Sequence, residues 1–261
     1  NLAHAKSTIN QLPNGNADIV TNIGAGNIVT RVGDAPNSFF GTIYKGVYAT
    51  DADAAAEGLQ TRLPDGTLRA FQGGDARFAD LNGDKIIDDK DRTILGNPNP
   101  TIYGGITNRV VYKNWTLDAL VSFVSGNDVY NYTRRNIESG DSYNNQSRAV
   151  EGRWRGNGQV TNIPRATYGD PLQNGRFSSR WIEDGSYIRL RSVGLSYNFN
   201  VDKGILKYLT VYANANNVLT FTKYLGYDPE FSATNSIIGQ GVDNTLEPIQ
   251  KSFNLGVKLG L

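Results

Sequence analysis

The chain has 261 residues, a formal net charge of +1, and neither cysteine nor methionine. Near-neutrality argues against nucleic acid as the main partner, because phosphate-binding surfaces carry a basic excess; the lack of cysteine excludes disulfides and thiolate metal sites. No apolar run reaches the ~18 residues of a membrane-spanning helix, but 29 glycines and 14 tyrosines fit a β-rich chain, and transmembrane strands need only ~10 alternating residues.

Residues 1–20 show no period that assigns them. The chain opens at Asn1 with no basic and apolar leader pattern, and the expectation is a mature or internal piece of something longer. "NIGAGNIVTRVG" reads as a strand. Its Gly24 and Gly26 do not make a dinucleotide fingerprint, because Val29 stands where the third glycine belongs. "NSFFGTIYKGVYAT" reads as a strand with aromatic flanks. "DADAAAEGLQ" favours a short helix capped by Asp51 or Asp53.

"DLNGDKIIDDKD", Asp80 to Asp91, has the oxygen spacing of a calcium loop, which uses positions 1, 3, 5, 7, 9 and 12. Those positions are Asp80, Asn82, Asp84, the carbonyl of Ile86, Asp88 and Asp91. Hard oxygen donors suit Ca²⁺, and the expected role is structural. Ile87 would be the inward apolar anchor. Lys85 occupies the usual glycine position, and Asp91 replaces the usual glutamate. No flanking helices are evident, so the run is a single loop and not a helix-pair sensor. The other reading is a solvated acidic turn with Lys85, Lys90 and Arg92 as counter-charges.

The rest of the chain alternates with period 2. "TIYGGITNRVVY" is followed across a tight "YKN" connection by "WTLDALVSF", where Trp115, Leu117, Ala119, Val121 and Phe123 oppose Thr116, Asp118 and Ser122. In "SVGLSYNF", Val193, Leu195, Tyr197 and Phe199 share a face. The preceding "YIRLR" breaks phase: Arg189 and Arg191 fall on the apolar face, which predicts a bulge or a headgroup-level position. "LTVYANANNVLTF" and "KSFNLGVKLGL" complete the series, the last with Phe253, Leu255, Val257, Leu259 and Leu261 on one face. Connections alternate short and long, with long ones from Gly126 to about Ser186 and over 226–249. That asymmetry predicts an all-β, antiparallel transmembrane β-barrel segment with long extracellular loops and short periplasmic turns. A soluble sandwich shows less of it.

Several segments in order carry a resemblance: "SFFGTIYKGVY", "GDARFADLNGDKIIDDKDRTILGNPNP", "GNDVYN", "RWRGNG", "IPRATYGDP", "RWIEDGSYIRLRSVGLSYNF" and "ANNVLTFTKYLGYDPE". Over 38–261 the chain resembles the C-terminal part of SusC/RagA-type TonB-dependent outer-membrane transporters of Bacteroidetes-like bacteria. The resemblance implies a plugged barrel of about 22 strands, of which this chain holds the last seven or eight, roughly. It implies an outer-membrane location and energised import of glycans or peptides. The implied partners are a SusD-like lid lipoprotein, the TonB complex acting through an N-terminal part, the remaining strands and plug, and outer-membrane lipid. Plug and first strands are missing, and Leu261 ends the chain where such barrels more often end in Phe. A sheet with two open edges is not viable in lipid, so the chain is expected to be a fragment.

Catalysis finds little support. His4 is the one histidine, which leaves no triad and no histidine zinc motif. Glu183/Asp184 and Asp228/Glu230 imitate a glycosidase pair but sit in or beside loops, so they read as solvated or loop-pinning acids. Trp154 between Arg153 and Arg155 could contact substrate or lid; loop packing is the preferred reading, since the motif belongs to the family's common framework. The alternative function is a secreted or surface calcium-binding β-domain that binds glycans. It would have to bury the apolar row of the last strand under a second sheet.

Overall fold

The computed structural model describes every residue except Ala25, Pro64, 202–205, 231–237 and Leu261. Six strands build one sheet: β1 (Leu2–His4), β2 (Ile102–Tyr112), β3 (Trp115–Ser125), β4 (Tyr187–Phe199), β5 (Tyr208–Thr222) and β6 (Ser252–Gly260). Each pairs antiparallel with the next, in chain order. This is the up-and-down pattern expected of a barrel wall. β2 and β3 have 11 residues each, the length a tilted strand needs to cross a bilayer.

The register aligns the alternation across the whole sheet. Val110, Leu117, Leu195, Ala213 and Leu255 stand opposite one another in turn, and so do Arg109, Asp118, Gly194, Asn214 and Asn254. The first row is apolar and exposed, reaching 81% at Leu255. The second is polar, with Arg109 and Asp118 paired at 3.6 Å. One apolar face and one polar face is the arrangement of lipid and lumen. Tyr112, Trp115, Tyr197 and Phe199 cluster at the short-turn end, with ring centroids 4.7 Å apart for Trp115–Tyr197 and 4.6 Å for Tyr197–Phe199. Phe123 and Phe221 share a row through Ile188 toward the other end on the same face, and Phe253 lies at the corresponding end of β6. Two aromatic levels flanking aliphatic residues reproduce the girdles of an outer-membrane strand set.

The phase break at "YIRLR" is a bulge. Pairing with β3 slips between Leu120 and Val121, and pairing with β5 slips between Leu190 and Ser192. Against β3, Arg191 is the extra residue; against β5, Asn217 and Val218 face it as a pair. The bulge returns Leu190 and Ile188 to the apolar face and turns Arg189 away from it.

The two-residue turn at Lys113–Asn114 puts Lys113 at φ 54°, and the β4–β5 connection is also short. Both lie at one end of the sheet. Connections 5–101, 126–186 and 223–251 all leave from the other end, and their described residues fold into a cap with two apolar cores. One gathers Tyr48, Phe71, Phe78, Ile87 and Leu172; the other gathers Phe39, Tyr130, Phe177, Trp181 and Val242. The second core draws on all three connections.

Three details differ from the sequence reading. The wall has six strands, not seven or eight, because "NSFFGTIYKGVYAT" supplies two cap strands, Ser38–Thr42 and Tyr44–Val47. Ser38–Thr42 is buried along its whole length, so no face of it could meet lipid. The stretch 1–20, unassigned from sequence, yields β1 and a strand at Ile19–Asn22 that pairs with Asn27–Thr30. The helix Asp51–Glu57 is capped by Thr50, whose hydroxyl accepts from Asp53 N while Asp53 accepts from Thr50 N.

The two faces make a direct prediction. In the intact protein, Leu255→Arg should cost about 2–4 kcal/mol in unfolding from a bilayer. Asn254→Arg, one residue away on the polar face, should cost far less. Equal costs would contradict the assignment.

Candidate functional site

The residues singled out from sequence lie in the cap or at its junction with the wall, where the three long connections are tied together. The tie begins with Asp75, fully buried in the "GDAR" turn. Its carboxylate accepts from Arg165 Nε and Nη2 at 2.9 and 3.0 Å, from Asn174 Nδ2 at 3.1 Å and from Gln72 N at 2.8 Å. Burial raises the Asp75 carboxyl above its usual range, against those bonds. A buried charge is tolerated when it is paired and saturated with hydrogen bonds in this way. Asn174 Oδ1 accepts in turn from Ala76 N at 2.7 Å.

Trp154 locks the same turn. Its indole Nε1 donates to the Ala49 carbonyl at 3.0 Å, and its backbone N donates to Ile163 O at 2.9 Å. The ring lies on Gly74, where an added Cβ would collide with it. Arg153 donates to Val150 O at 3.2 Å and Arg155 to Glu151 O at 2.9 Å. In this arrangement Trp154 is an internal clamp, and the flanking arginines tie down their own loop.

The Asp80–Asp91 run curls on its own side chains. Asp80 accepts from Gly83 N at 2.7 Å and Lys85 N at 3.0 Å; Asn82 accepts from Asp84 N at 3.1 Å. Asp84 accepts from Ile86 N at 2.9 Å and from the Asn82 amide at 2.8 Å, bonds that hold its carboxyl below the usual range. Asp91, fully buried, accepts from Leu81 N at 2.8 Å and Asp88 N at 2.9 Å. Asp88 accepts from Lys90 N at 2.9 Å. Lys85 takes the φ of 66° that a glycine would adopt more readily. Ile87 is buried in the first core, as its position in the loop anticipates. The donors are of the right kind for a hard cation. Among the described residues, though, no group of three acidic or histidine side chains converges to hold a metal.

At the wall, the bulge presents Arg189, 2% exposed, to the third connection. Its guanidinium donates to Asp228 Oδ1 and Glu230 Oε2, each at 2.6 Å. Arg191 and Tyr187 also bond to Glu230, and Arg191 Nε donates to Ser122 Oγ at 2.9 Å. Glu183 is engaged by Arg134 Nη1 at 2.6 Å and by Leu225 N at 2.9 Å. Both carboxylate pairs that imitate a glycosidase are therefore held by guanidinium groups and backbone.

No family model matches the chain. Over 99% of its length it is 30% identical to TonB-dependent receptor P3 of Formosa agariphila, and over 91% it is 33% identical to TonB-dependent receptor P26 of the same organism. It is 25% identical, over 88% of its length, to the TonB-dependent receptor SusC of Bacteroides thetaiotaomicron. The chain spans 26%, 24% and 20% of these relatives. Among solved structures, the RagAB peptide importer in its open-open state superposes on all of it with a TM-score of 0.72, at 21% identity and over 26% of that chain. The chain is a portion of a TonB-dependent receptor. It is an outer-membrane protein of a Gram-negative bacterium.

Within this receptor the sequence singled out the acidic loop, Trp154 and the phase-breaking arginines. It missed the Asp75–Arg165–Asn174 tie. Its members lie about 90 and 99 positions apart, and no local period marks them.

Gly74 offers a test of the clamp. Gly74→Ala and Gly66→Ala both force a side chain to positive φ, 86° and 87°, but only Gly74 faces the Trp154 ring. The left-handed backbone alone costs about 1–2 kcal/mol. Limited proteolysis of the folded receptor should therefore open the cap more in Gly74→Ala than in Gly66→Ala. Equal protection would remove the clamp.

Proposed function

We propose that the receptor to which this chain contributes imports a glycan or peptide across the outer membrane, driven by TonB. A SusD-like lipoprotein acts as its lid. The observation that carries this reading is the inverted architecture: an exposed apolar sheet face, with the packed cores confined to connections at one end. The cap end is the extracellular end, where a lid would meet cargo and commit it to the chamber. This chain supplies wall and mouth. The coupling to TonB, and the plug it pulls, belong to other parts of the receptor.

The relatives support this reading by kind, since they are named as receptors or importers. No bond-breaking step is assigned to this chain. The alternative, a soluble calcium-binding β-domain, needs a second sheet over Phe253, Leu255, Val257 and Leu259. Those residues are 57–81% exposed, which favours the wall.

The direct test is isolation of the tagged receptor from outer membranes in mild detergent. The expected result is a lipoprotein in about equal amount, and cargo uptake that stops when TonB is deleted. Recovery from the soluble fraction without a lid would overturn the proposal.

A structural Ca²⁺ on Asp80, Asn82, Asp84, the Ile86 carbonyl, Asp88 and Asp91 belongs to the same proposal. It requires Asp84 and Asp88 to turn toward a common centre. Chelation should then lower the thermal midpoint of the receptor, and Ca²⁺, but not an equal ionic strength of NaCl, should restore it. An unchanged midpoint would leave the loop held by its own N–H bonds.

A further inference from the structure

We propose that a recess in the cap binds an oxyanion, a carboxylate or sulfate group carried by the cargo, on the guanidinium of Arg176. The proposal rests on the import reading above and deepens it.

The recess has a volume of about 480 Å³ and lies between the acidic loop and the two cores. That size falls in the range of sites that take small organic ligands. Cations on its wall outnumber carboxylates four to two: Arg62, Lys90, Arg92 and Arg176 against Asp88 and Asp89. Asp88 accepts from Lys90 N and Asp89 pairs with Arg92, while Lys90 pairs with Asp84 at 3.7 Å, so Arg62 and Arg176 are the lining cations without an ion pair among the described residues. Phe40 and Phe177 supply apolar surface beside them.

Arg176 is the unusual member. Its guanidinium lies over the Phe78 ring at 4.7 Å. It donates to Gln173 O at 3.2 Å, Ile87 O at 3.3 Å and Thr61 Oγ1 at 2.8 Å. All three acceptors are neutral. Guanidinium has five N–H donors, so two remain without a partner among the described residues. Asp170, Asp91 and Asp89 act on it from farther away, but the oxygens of the first two accept backbone N–H groups from Asn174, Gly175, Leu81 and Asp88, and Asp89 pairs with Arg92. Burial pushes the guanidinium down to about 10. Several other enclosed arginines that tie the connections together have a carboxylate: Arg189 has Asp228, Arg134 has Glu183, and Arg165 has Asp75; Arg180, stacked on Tyr44 and Trp181, lacks one among the described residues but does not line this recess.

A half-buried cation without a direct counter-charge is costly, and an oxyanion supplied from outside removes that cost. The planar fork of guanidinium suits carboxylate, sulfate and phosphate alike. Arg62, exposed at the edge of the recess and, among the described residues, bonded through its guanidinium only to Gly66 O at 3.0 Å, is placed to share such a group. The aromatic wall favours an anionic group on an apolar or ring-shaped body over a free inorganic ion.

The test uses the full receptor with its lid. Sodium sulfate and sodium acetate are titrated against sodium chloride at matched ionic strength, with the thermal midpoint and calorimetric heat as readouts. Wild type should show saturable stabilisation by sulfate or acetate beyond chloride. Arg176→Gln should weaken it at least tenfold. Arg62→Gln should weaken it too, and decides the matter if Arg176→Gln fails to assemble. Uptake of an acidic oligomer should fall in these variants while that of its neutral counterpart is unchanged. Sulfate and acetate no better than chloride would overturn the proposal, as would an unchanged response in Arg62→Gln. That includes the case where a carboxylate from elsewhere in the receptor already fills the recess. Equal loss of acidic and neutral uptake would overturn the assignment to cargo. Lid co-purification and membrane recovery are read on the same samples, so failure of the import reading is seen separately.

Discussion

Hydrocarbon cannot satisfy a backbone N–H or C=O, and the structure follows from that constraint. Inside a bilayer every such group must pair within the protein, so the wall strands run 9 to 15 residues in antiparallel pairing from β2 to β6, with register slips at the β4 bulge. The side chains then divide by pleat, apolar to lipid and polar to lumen. A wall only one strand thick has no interior, so it cannot supply a hydrophobic core. The core moves to the connections, which is why Phe39, Tyr130 and Trp181 are buried while Leu255 and Phe253 are not.

That displacement explains what the motifs carrying the family resemblance do. They bind one another. "GDAR" meets "RWRGNG" through Gly74 and Trp154, and meets "IPRATYGDP" through Asp75 and Arg165. "GNPNP" meets "GNDVYN" where Asn97 N donates to Asp128 Oδ2 at 2.9 Å. "YIRLR" meets "GYDPE" through Arg189 and Asp228. Each contact joins segments far apart in sequence. Long loops cost entropy to order, and paired, enclosed charges fix their geometry where apolar contacts alone would leave alternatives. The cap is thus a rigid frame, and the Arg176 recess sits within it.

The wall was legible in the sequence because lipid enforces period 2 on every residue of a spanning strand. Even the one failure of phase, at Arg189 and Arg191, pointed to a real bulge. The cap was less legible because its contacts are long-range. "SFF" places Phe39 beside Phe40, and consecutive apolar residues read equally as a wall strand with girdle aromatics or as a strand buried on both faces; the structure shows the second. The helix cap was a local miss. Thr50 and Asp53 stand three apart, the spacing of a capping box, and that signal was on the page. In the acidic loop, the apolar anchor expected at Ile87 is buried. The loop's carboxylates accept backbone N–H groups in the structure, and spacing alone cannot distinguish that use from metal coordination.

The central claim is that one face of the wall meets lipid. This chain contains no cysteine, so a label placed in it is unique within the described wall once any cysteine elsewhere in the receptor is replaced. Single cysteines from Phe253 to Leu259 in the full receptor, spin-labelled in a bilayer, report exposure to oxygen dissolved in lipid and to a water-soluble nickel complex. The account predicts strict alternation, with oxygen favoured at 253, 255, 257 and 259 and the nickel complex favoured at 254, 256 and 258. Uniform water exposure, or uniform protection at the odd positions, would contradict it.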